Sequence, residues 1–564
     1  MKSSAALLIS MMAVAACSAG GGAGTPRSNG AGGDGNTGTA GTGSGASAGT
    51  SATAGTAGLV SSTTTLTLQC SQPQLGKPVL RLLTRAEFSQ TIDDIFPQVA
   101  NTWASTLPAD PVSAYGFDND AAALVGPQLA QALLDTATAV ADSVTGTALA
   151  TVLPCSTSAA DRTCAETFVN QYGRRLFRRP VTAAEHDRYL TFFDSALAKS
   201  DFKTAIKWIT VGLIQSPNAV YRSEIGTVAN GTRQLDAHEL ATELAYTYTD
   251  TTPTEDLLAQ ADSGTPLDAA AIAKSLLATP AGKANLRAFF EAYTDFPRVA
   301  SIDRAGVAQW SSLRNDMLQE TRSFIDQVVI QNNGGLKDLL TAPTTNPSTA
   351  LASYYGFPAP ASDYASVQRA DGQGIGLLAQ GAILATLAQP NGSSPTQRGL
   401  LVFNKLLCNV KPTPPPNVPA IGSPDPGNIT TRQRYEINHA GRQPCSTCHK
   451  LFDPIGFGSE HFDEGGRYRA TESGLTIDAA SDVPTLDGGS LFSFDGQEQL
   501  AQGLAKQEVV YQCFAAYLAT YAFGSGDACL GSSHEPNLSA GTMSIADFYS
   551  ALATEPHFSQ RSSQ

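Results

Sequence analysis

Residues 84–96 read TRAEFSQTIDDIF. Thr84 with Glu87 three positions later is a capping box, in which the hydroxyl accepts from the Glu87 amide and the carboxylate reaches back to the Thr84 amide. Phe88, Ile92, Ile95 and Phe96 then recur at helical spacing and define one apolar face. The same start signal returns at Thr182 with Glu185, at Asp236 with Glu239 and at Asp495 with Glu498. Apolar periodicity predicts helices over 121–144, 168–177, 182–198, 202–215, 269–277, 285–293 and 315–331, and a last long stretch ending near Tyr521. Residues 475–494 alternate and carry Asp487-Gly488-Gly489, which predicts a small β-hairpin. The fold class is mainly α, in several helical modules.

A chain of 564 residues divides into more than one domain. Its net charge of -14, with 15% charged residues, supplies no basic patch to neutralise phosphates, so nucleic acid is excluded as a partner. Lys2 precedes an apolar run from Ala5 to Ala16, so residues 1–16 read as a signal peptide, too short to span a bilayer as a permanent helix. Val14-Ala15-Ala16-Cys17 resembles a lipobox, which makes Cys17 the expected lipidated residue. Ser18 in place of Asp points, by resemblance to Gram-negative lipoproteins, to the outer membrane. Residues 17–66 are dominated by Gly, Ala, Ser and Thr and read as a flexible tether. Export permits disulfides. Of the nine cysteines, Cys155 and Cys164 bracket a polar turn and are expected to pair. Cys513 with Cys529 is the local choice for a second bridge, and Cys70 and Cys408 have no assigned partner.

Cys445-Ser446-Thr447-Cys448-His449 is a CxxCH. Two thiols at this spacing add across the two vinyl groups at one porphyrin edge, and the next residue swings its imidazole beneath the iron. One covalent haem c is expected, with His449 as the proximal ligand. A thioredoxin-like CxxC needs a preceding strand, whereas Pro444 and a polar loop stand here. A zinc site with His439 would require the adjacent Cys448 and His449 to reach one small tetrahedral ion, which is awkward. The sixth iron ligand decides between an electron carrier and a reactive site. His439, six residues before Cys445, is the first candidate for it, opposite His449. Met317 is the second, and His461 lies twelve residues after His449.

Longer motifs carry a resemblance. Arg81-Leu82-Leu83-Thr84-Arg85-Ala86-Glu87 and Gly116-Phe117-Asp118-Asn119 form a first pattern, and Phe177-Arg178-Arg179-Pro180 with Thr182 and Glu185 a second. Residues 235–246 form a third. Ser394-Pro395-Thr396-Gln397-Arg398-Gly399, the stretch Pro412 to Pro419, His439, the CxxCH and Asp453-Pro454-Ile455-Gly456-Phe457, through Asp463, Gly466 and Arg469, form a fourth. Phe514 to Gly524 resembles a fifth. Together they resemble the planctomycete-surface-domain, or planctomycete-type cytochrome, family, built from five successive domains of unknown function. The resemblance implies helical modules at 67–150, 151–222 and 223–356, a cytochrome c-like haem module at 370–470 and a C-terminal module at 475–556. It also implies a histidine before the CxxCH in the place of His439. His461 departs from the pattern, which more often has Asn there. No established reaction comes with the family.

Around the motif, Asp453 and Pro454 are expected to make a turn, Gly456 a close backbone approach, and Phe457 a contact with the porphyrin. Arg467 and Arg469 are candidates to pair with haem propionates. Arg178 and Arg179 are expected to tie a helix end to a neighbouring module. The leading functional expectation is electron transfer by a low-spin haem to a redox partner protein. The alternatives are a haem peroxidase or oxygenase on an extracellular substrate, and a surface-binding or assembly protein with structural haem.

Overall fold

The capping signals act locally, so they decide where helices begin. A computed structural model describes residues 75–413, 428–526 and 529–563. The signal segment, Cys17, the tether, Cys70 and most of the stretch from Pro412 to Pro419 lie outside the described residues. The chain opens with strand β1 (Val79–Leu82) and helices α1 (Arg85–Ile95), α2 (Pro127–Gly146), α3 (Arg162–Phe177), α4 (Ala183–Leu197) and α5 (Phe202–Ile214). Strand β2 (Tyr221–Glu224) returns antiparallel to β1, and hairpin β3 (Thr227–Ala229) and β4 (Thr232–Gln234) follows. Then come α6 (Ala237–Thr249), α7 (Ala269–Ala278), α8 (Pro280–Thr294) and α9 (Trp310–Ile325). The CxxCH region is built from short helices: α10 (Pro395–Leu401), α11 (Thr431–Tyr435), α12 (Ser446–His449) and α13 (Asp453–Phe457). Hairpin β5 (Ala480–Pro484) and β6 (Ser490–Asp495), helices α14 (Gly496–Leu504) and α15 (Glu508–Phe523), and strand β7 (Gln560–Ser562) beside β4 complete the order. The protein is mainly α with a few small strand pairs.

Thr84, Thr182 and Asp236 each form the complete capping box. Asp495 does not: it ends β6, paired with Ala480, and its side chain caps nothing. Glu498 accepts from the Gly372 amide at 3.1 Å instead. Helix α2 starts at Pro127, later than the apolar pattern suggests, because proline suits a first turn whose amides need no partner.

Two large apolar cores, with a small satellite around Leu257 and Ala261, hold the described residues together, and the large ones do not follow the module boundaries. One runs from Leu82 to Val220 and takes in Tyr246 from α6. The other gathers residues from Leu244 to Phe558 together with Phe117. Phe117 reaches into the second core and packs beside Phe289, Tyr517 and Tyr521. Neighbouring modules therefore share a core and do not each bury one of their own. Cys155 is bonded to Cys164, nine residues away. Cys408 is bonded to Cys513 across 105 residues, so the local pairing of Cys513 with Cys529 is not formed. Cys529 is itself in a disulfide.

Buried charge joins the modules. Glu224 on β2, 5% exposed, faces Arg561 at 2.7 Å, Arg222 at 3.6 Å and Arg81 at 3.8 Å. Burial alone would raise its pKa, but the three guanidinium groups hold it below its ordinary value. Arg178, in the left-handed conformation that ends α3, donates to the carbonyls of Asn218 and Tyr221 at 2.6 Å each and to the Tyr246 hydroxyl at 3.3 Å. It thereby ties the end of α3 to the turn before β2 and to α6.

Helices α10 and α13 meet backbone to backbone. A Cβ at Gly456 would overlap the carbonyl oxygen of Pro395, and one at Gly399 would overlap that of Phe452. Gly456→Ala is therefore expected to destabilise the protein by about 1–3 kcal/mol. Gly146→Ala, where a Cβ meets nothing within 4 Å, should change stability by less than about 0.5 kcal/mol. Equal shifts in urea midpoint for the two variants would show that the helices do not touch through glycine.

Candidate functional site

The site is assembled around one carboxylate. Asp453 begins α13, is 3% exposed, and accepts from three directions. His449 Nδ1 lies 3.0 Å from Oδ2, His439 Nδ1 lies 3.1 Å from the same oxygen, and Thr396 Oγ1 donates to Oδ1 at 2.6 Å. Burial would raise the Asp453 pKa, yet the hydrogen bonds from His439, His449 and Thr396 hold it below its ordinary value. With both Nδ1 atoms facing the carboxylate, each imidazole keeps its Nε2 for another partner.

Local sequence explains how each group arrives. Ser394 caps α10 and Pro395 occupies its first turn, which sets Thr396 on the side that meets α13. Thr430 and Gln433 form a capping box that starts α11, and a π-helical turn over Glu436–Ala440 continues it to His439. His449 ends the single turn α12, four residues before Asp453. His439 is 7% exposed and packs edge-on against Tyr435, with ring centroids 4.7 Å apart. His449 meets Phe452 with centroids 5.1 Å apart.

Cys445 and Cys448 are both free thiols, and both are partly exposed. The other cysteines among the described residues are all in disulfides. The residues of the CxxCH are thus set apart chemically from the rest.

The two imidazoles lie side by side. Their ring centroids are 3.8 Å apart, which is van der Waals contact and leaves no layer between them. The placement of His439 opposite His449 is therefore not what the structure has: both rings converge on one carboxylate oxygen. His439, His449 and Asp453 offer one ligand atom each within 4.8 Å of one another, a spacing that suits a metal ion. That set differs from the sequence-based zinc alternative, because it takes Asp453 in place of the cysteines.

The remaining candidates are engaged elsewhere. Met317 is fully buried on α9, in the core and close to Gly381, and is not one of the groups gathered at Asp453. Phe457 is buried, with the Arg432 guanidinium 4.8 Å over its ring. Arg467 pairs with Asp463 at 3.4 Å, and Arg469 pairs with Glu472 at 3.2 Å. His461 Nδ1 lies 2.9 Å from the Arg469 carbonyl. These pairings shape the loop after α13 and are made with protein groups. Sequence reasoning missed Thr396 and the central role of Asp453. The four-residue spacing from His449 to Asp453, short enough for the carboxylate to reach back to the imidazole, was the available signal.

Arg398 on α10 clamps that loop. It is 4% exposed and donates to the carbonyls of Ser459 at 2.8 Å, Phe462 at 2.7 Å and Asp463 at 2.9 Å. Beside it, Glu460 accepts from Ser393 at 2.8 Å. Burial pushes the Glu460 carboxyl up to about 7, against the pull of Arg398.

Four family models match in order along the chain. PSD3, protein of unknown function (DUF1587), matches residues 81–146. PSD5, protein of unknown function (DUF1595), matches 164–224, and PSD4, protein of unknown function (DUF1592), matches 235–357. PSCyt3, protein of unknown function (DUF1588), matches 375–472, which contains the whole Asp453 cluster. No curated protein and no solved structure matches the chain.

Asp453→Asn should cost about 2–4 kcal/mol, because a buried charge-assisted network loses its acceptor, and Thr396→Val about 1 kcal/mol. Equal costs in urea unfolding would show that the carboxylate is not the shared acceptor. Glu460 holds its proton more tightly when folded, at about 7, than when unfolded, at about 4.3. Its stabilising contribution is full below about pH 4 and is lost as pH rises to about 7. Glu460→Gln should flatten that limb of the stability profile between about pH 5 and about pH 8, and an unchanged slope would assign the limb to another group.

With the four domains in sequence and together spanning more than half of its length, the chain belongs to the planctomycete cytochrome-type family of proteins built from domains of unknown function.

Proposed function

We propose that the protein is an exported c-type monohaem protein, anchored to the outer membrane through lipid on Cys17, that passes electrons to or from a redox partner protein. One observation carries the reading: two free thiols share a helical turn with His449, and the buried carboxylate of Asp453 holds the Nδ1 of that histidine. This donor set fits haem c, with Cys445 and Cys448 as the thioether positions and His449 as the iron ligand. Bound there, the haem supplies a one-electron iron couple. The chain supplies orientation. Asp453 fixes the His449 ring through Nδ1, which leaves Nε2 for the metal and makes the imidazole a stronger donor. Thr396 holds the other carboxylate oxygen, so the acceptor cannot rotate away. Partial exposure of both cysteines keeps this edge within reach of a docking partner.

The side-by-side placement of His439 and His449 favours a second reading, a haem peroxidase or oxygenase. Under that reading His439 supports Asp453 and does not ligate iron.

Expression of the full chain in a host that matures c-type haem tests both readings. Under the first, the exported protein gains the mass of one haem and stains for covalent haem after denaturation. A Cys445→Ser, Cys448→Ser double variant loses both signals, and His449→Ala keeps the mass but changes the spectrum. Absence of spectral change when carbon monoxide is added to the reduced protein fits the electron carrier, and ready binding fits the enzyme. Colourless exported protein of polypeptide mass alone would falsify the haem assignment.

A further inference from the structure

A cavity of about 590 Å³ lies far along the chain from the CxxCH, where β1, α1, the end of α6, α8 and α15 meet. Its volume falls within the range of small-molecule sites. Its walls bring together residues from three matched domains: Glu87 and Asp118 from the first, Arg222 from the second, and Thr247, Asp250 and Asn285 from the third.

Two wall residues have unmet bonding capacity. Thr247 is 5% exposed, and its Oγ1 has no hydrogen-bond partner among the described residues. Arg222 is 1% exposed; its Nε and Nη1 make no hydrogen bond and face Glu224 and Glu243 at 3.6 and 3.9 Å, while its Nη2 lies 3.8 Å from Glu87 on the cavity wall. Buried polar atoms left this way are costly unless something enters to bond them. Asp250 caps α6 in the left-handed conformation beside them. Its carboxyl is pushed up to about 7, by burial first and then by Glu87.

The chemistry of the walls selects the ligand. Carboxylates at Glu87, Asp118, Asp250, Glu291 and Asp295 outnumber the guanidinium groups of Arg81, Arg85 and Arg222, which disfavours an anion. Arg81, Arg85 and Arg222 offset most of these carboxylates, and Asp250 is held partly protonated, so an organic cation gains little net attraction. The carboxylates do not cluster in threes as a metal ion needs, because the one such group among the described residues is at Asp453. What remains is a ligand that donates and accepts at every point, which is the property of hydroxyl groups. We infer that this cavity binds a neutral polyhydroxyl ligand, of the monosaccharide or disaccharide class, with Thr247 and Arg222 as buried contacts.

The test uses the full-length protein and leaves the CxxCH untouched. Glucose, galactose, N-acetylglucosamine and their disaccharides are titrated by thermal shift and calorimetry, with spermidine and inorganic phosphate as rival classes. At least one sugar should bind saturably and raise the Tm. Thr247→Val should weaken that sugar by about tenfold while leaving the unliganded Tm in place, and Thr247→Ser should restore binding. Failure of every sugar, binding of spermidine or phosphate instead, or a sugar affinity unmoved by Thr247→Val overturns the inference.

Discussion

A carboxylate buried among three guanidinium groups holds the modules in one arrangement. Glu224 meets Arg81 from the first strand, Arg222 from its own strand and Arg561 from the last. Removing a partner from such a group leaves a charge in low dielectric, which costs several kcal/mol. The arrangement therefore links distant segments of the chain. β1 is paired to β2 and β7 to β4, so the two ends of the described chain close on the same region. The polar cavity is a product of the same junction: where charged groups gather between two apolar cores, polar atoms must face one another or an occupant.

Asp453 repeats this logic on a smaller scale. Four motifs, separated by up to 57 residues, contribute a hydroxyl, two imidazoles and the carboxylate itself. The glycine contact between α10 and α13 brings Thr396 close enough to bond. Arg398 then holds the following loop by gripping its carbonyls, and Glu460 ties the same loop back to Ser393. Packing and chemistry are one device here, because the residues that let the helices approach also set the geometry of the imidazoles.

The helical class was legible because a capping box is a local interaction between residues three apart. Thr84, Thr182 and Asp236 therefore declared their helices in the sequence. Asp495 carried the same signal and lost to strand pairing with Ala480, a contact that local pattern does not encode. The Cys408–Cys513 bridge was illegible for a related reason: only the packing of α15 against the segment after α10 brings the thiols together. His439 was legible as a partner of the CxxCH from its place before the motif. Its side of the site was not, because a short chain separation limits distance and leaves direction open.

The amino-acid order alone determined the helical character, the CxxCH with its adjacent histidine, and the succession of modules. These follow from spacing within a turn or two and from side-chain chemistry, which survive in any tertiary context. Only the folded chain decided that Asp453 is the common acceptor, that His439 lies beside His449, and that Thr247 faces a cavity shared by three domains. Those outcomes depend on which surfaces must be buried against which. That choice is made by cores and buried charges drawn from the whole length of the protein.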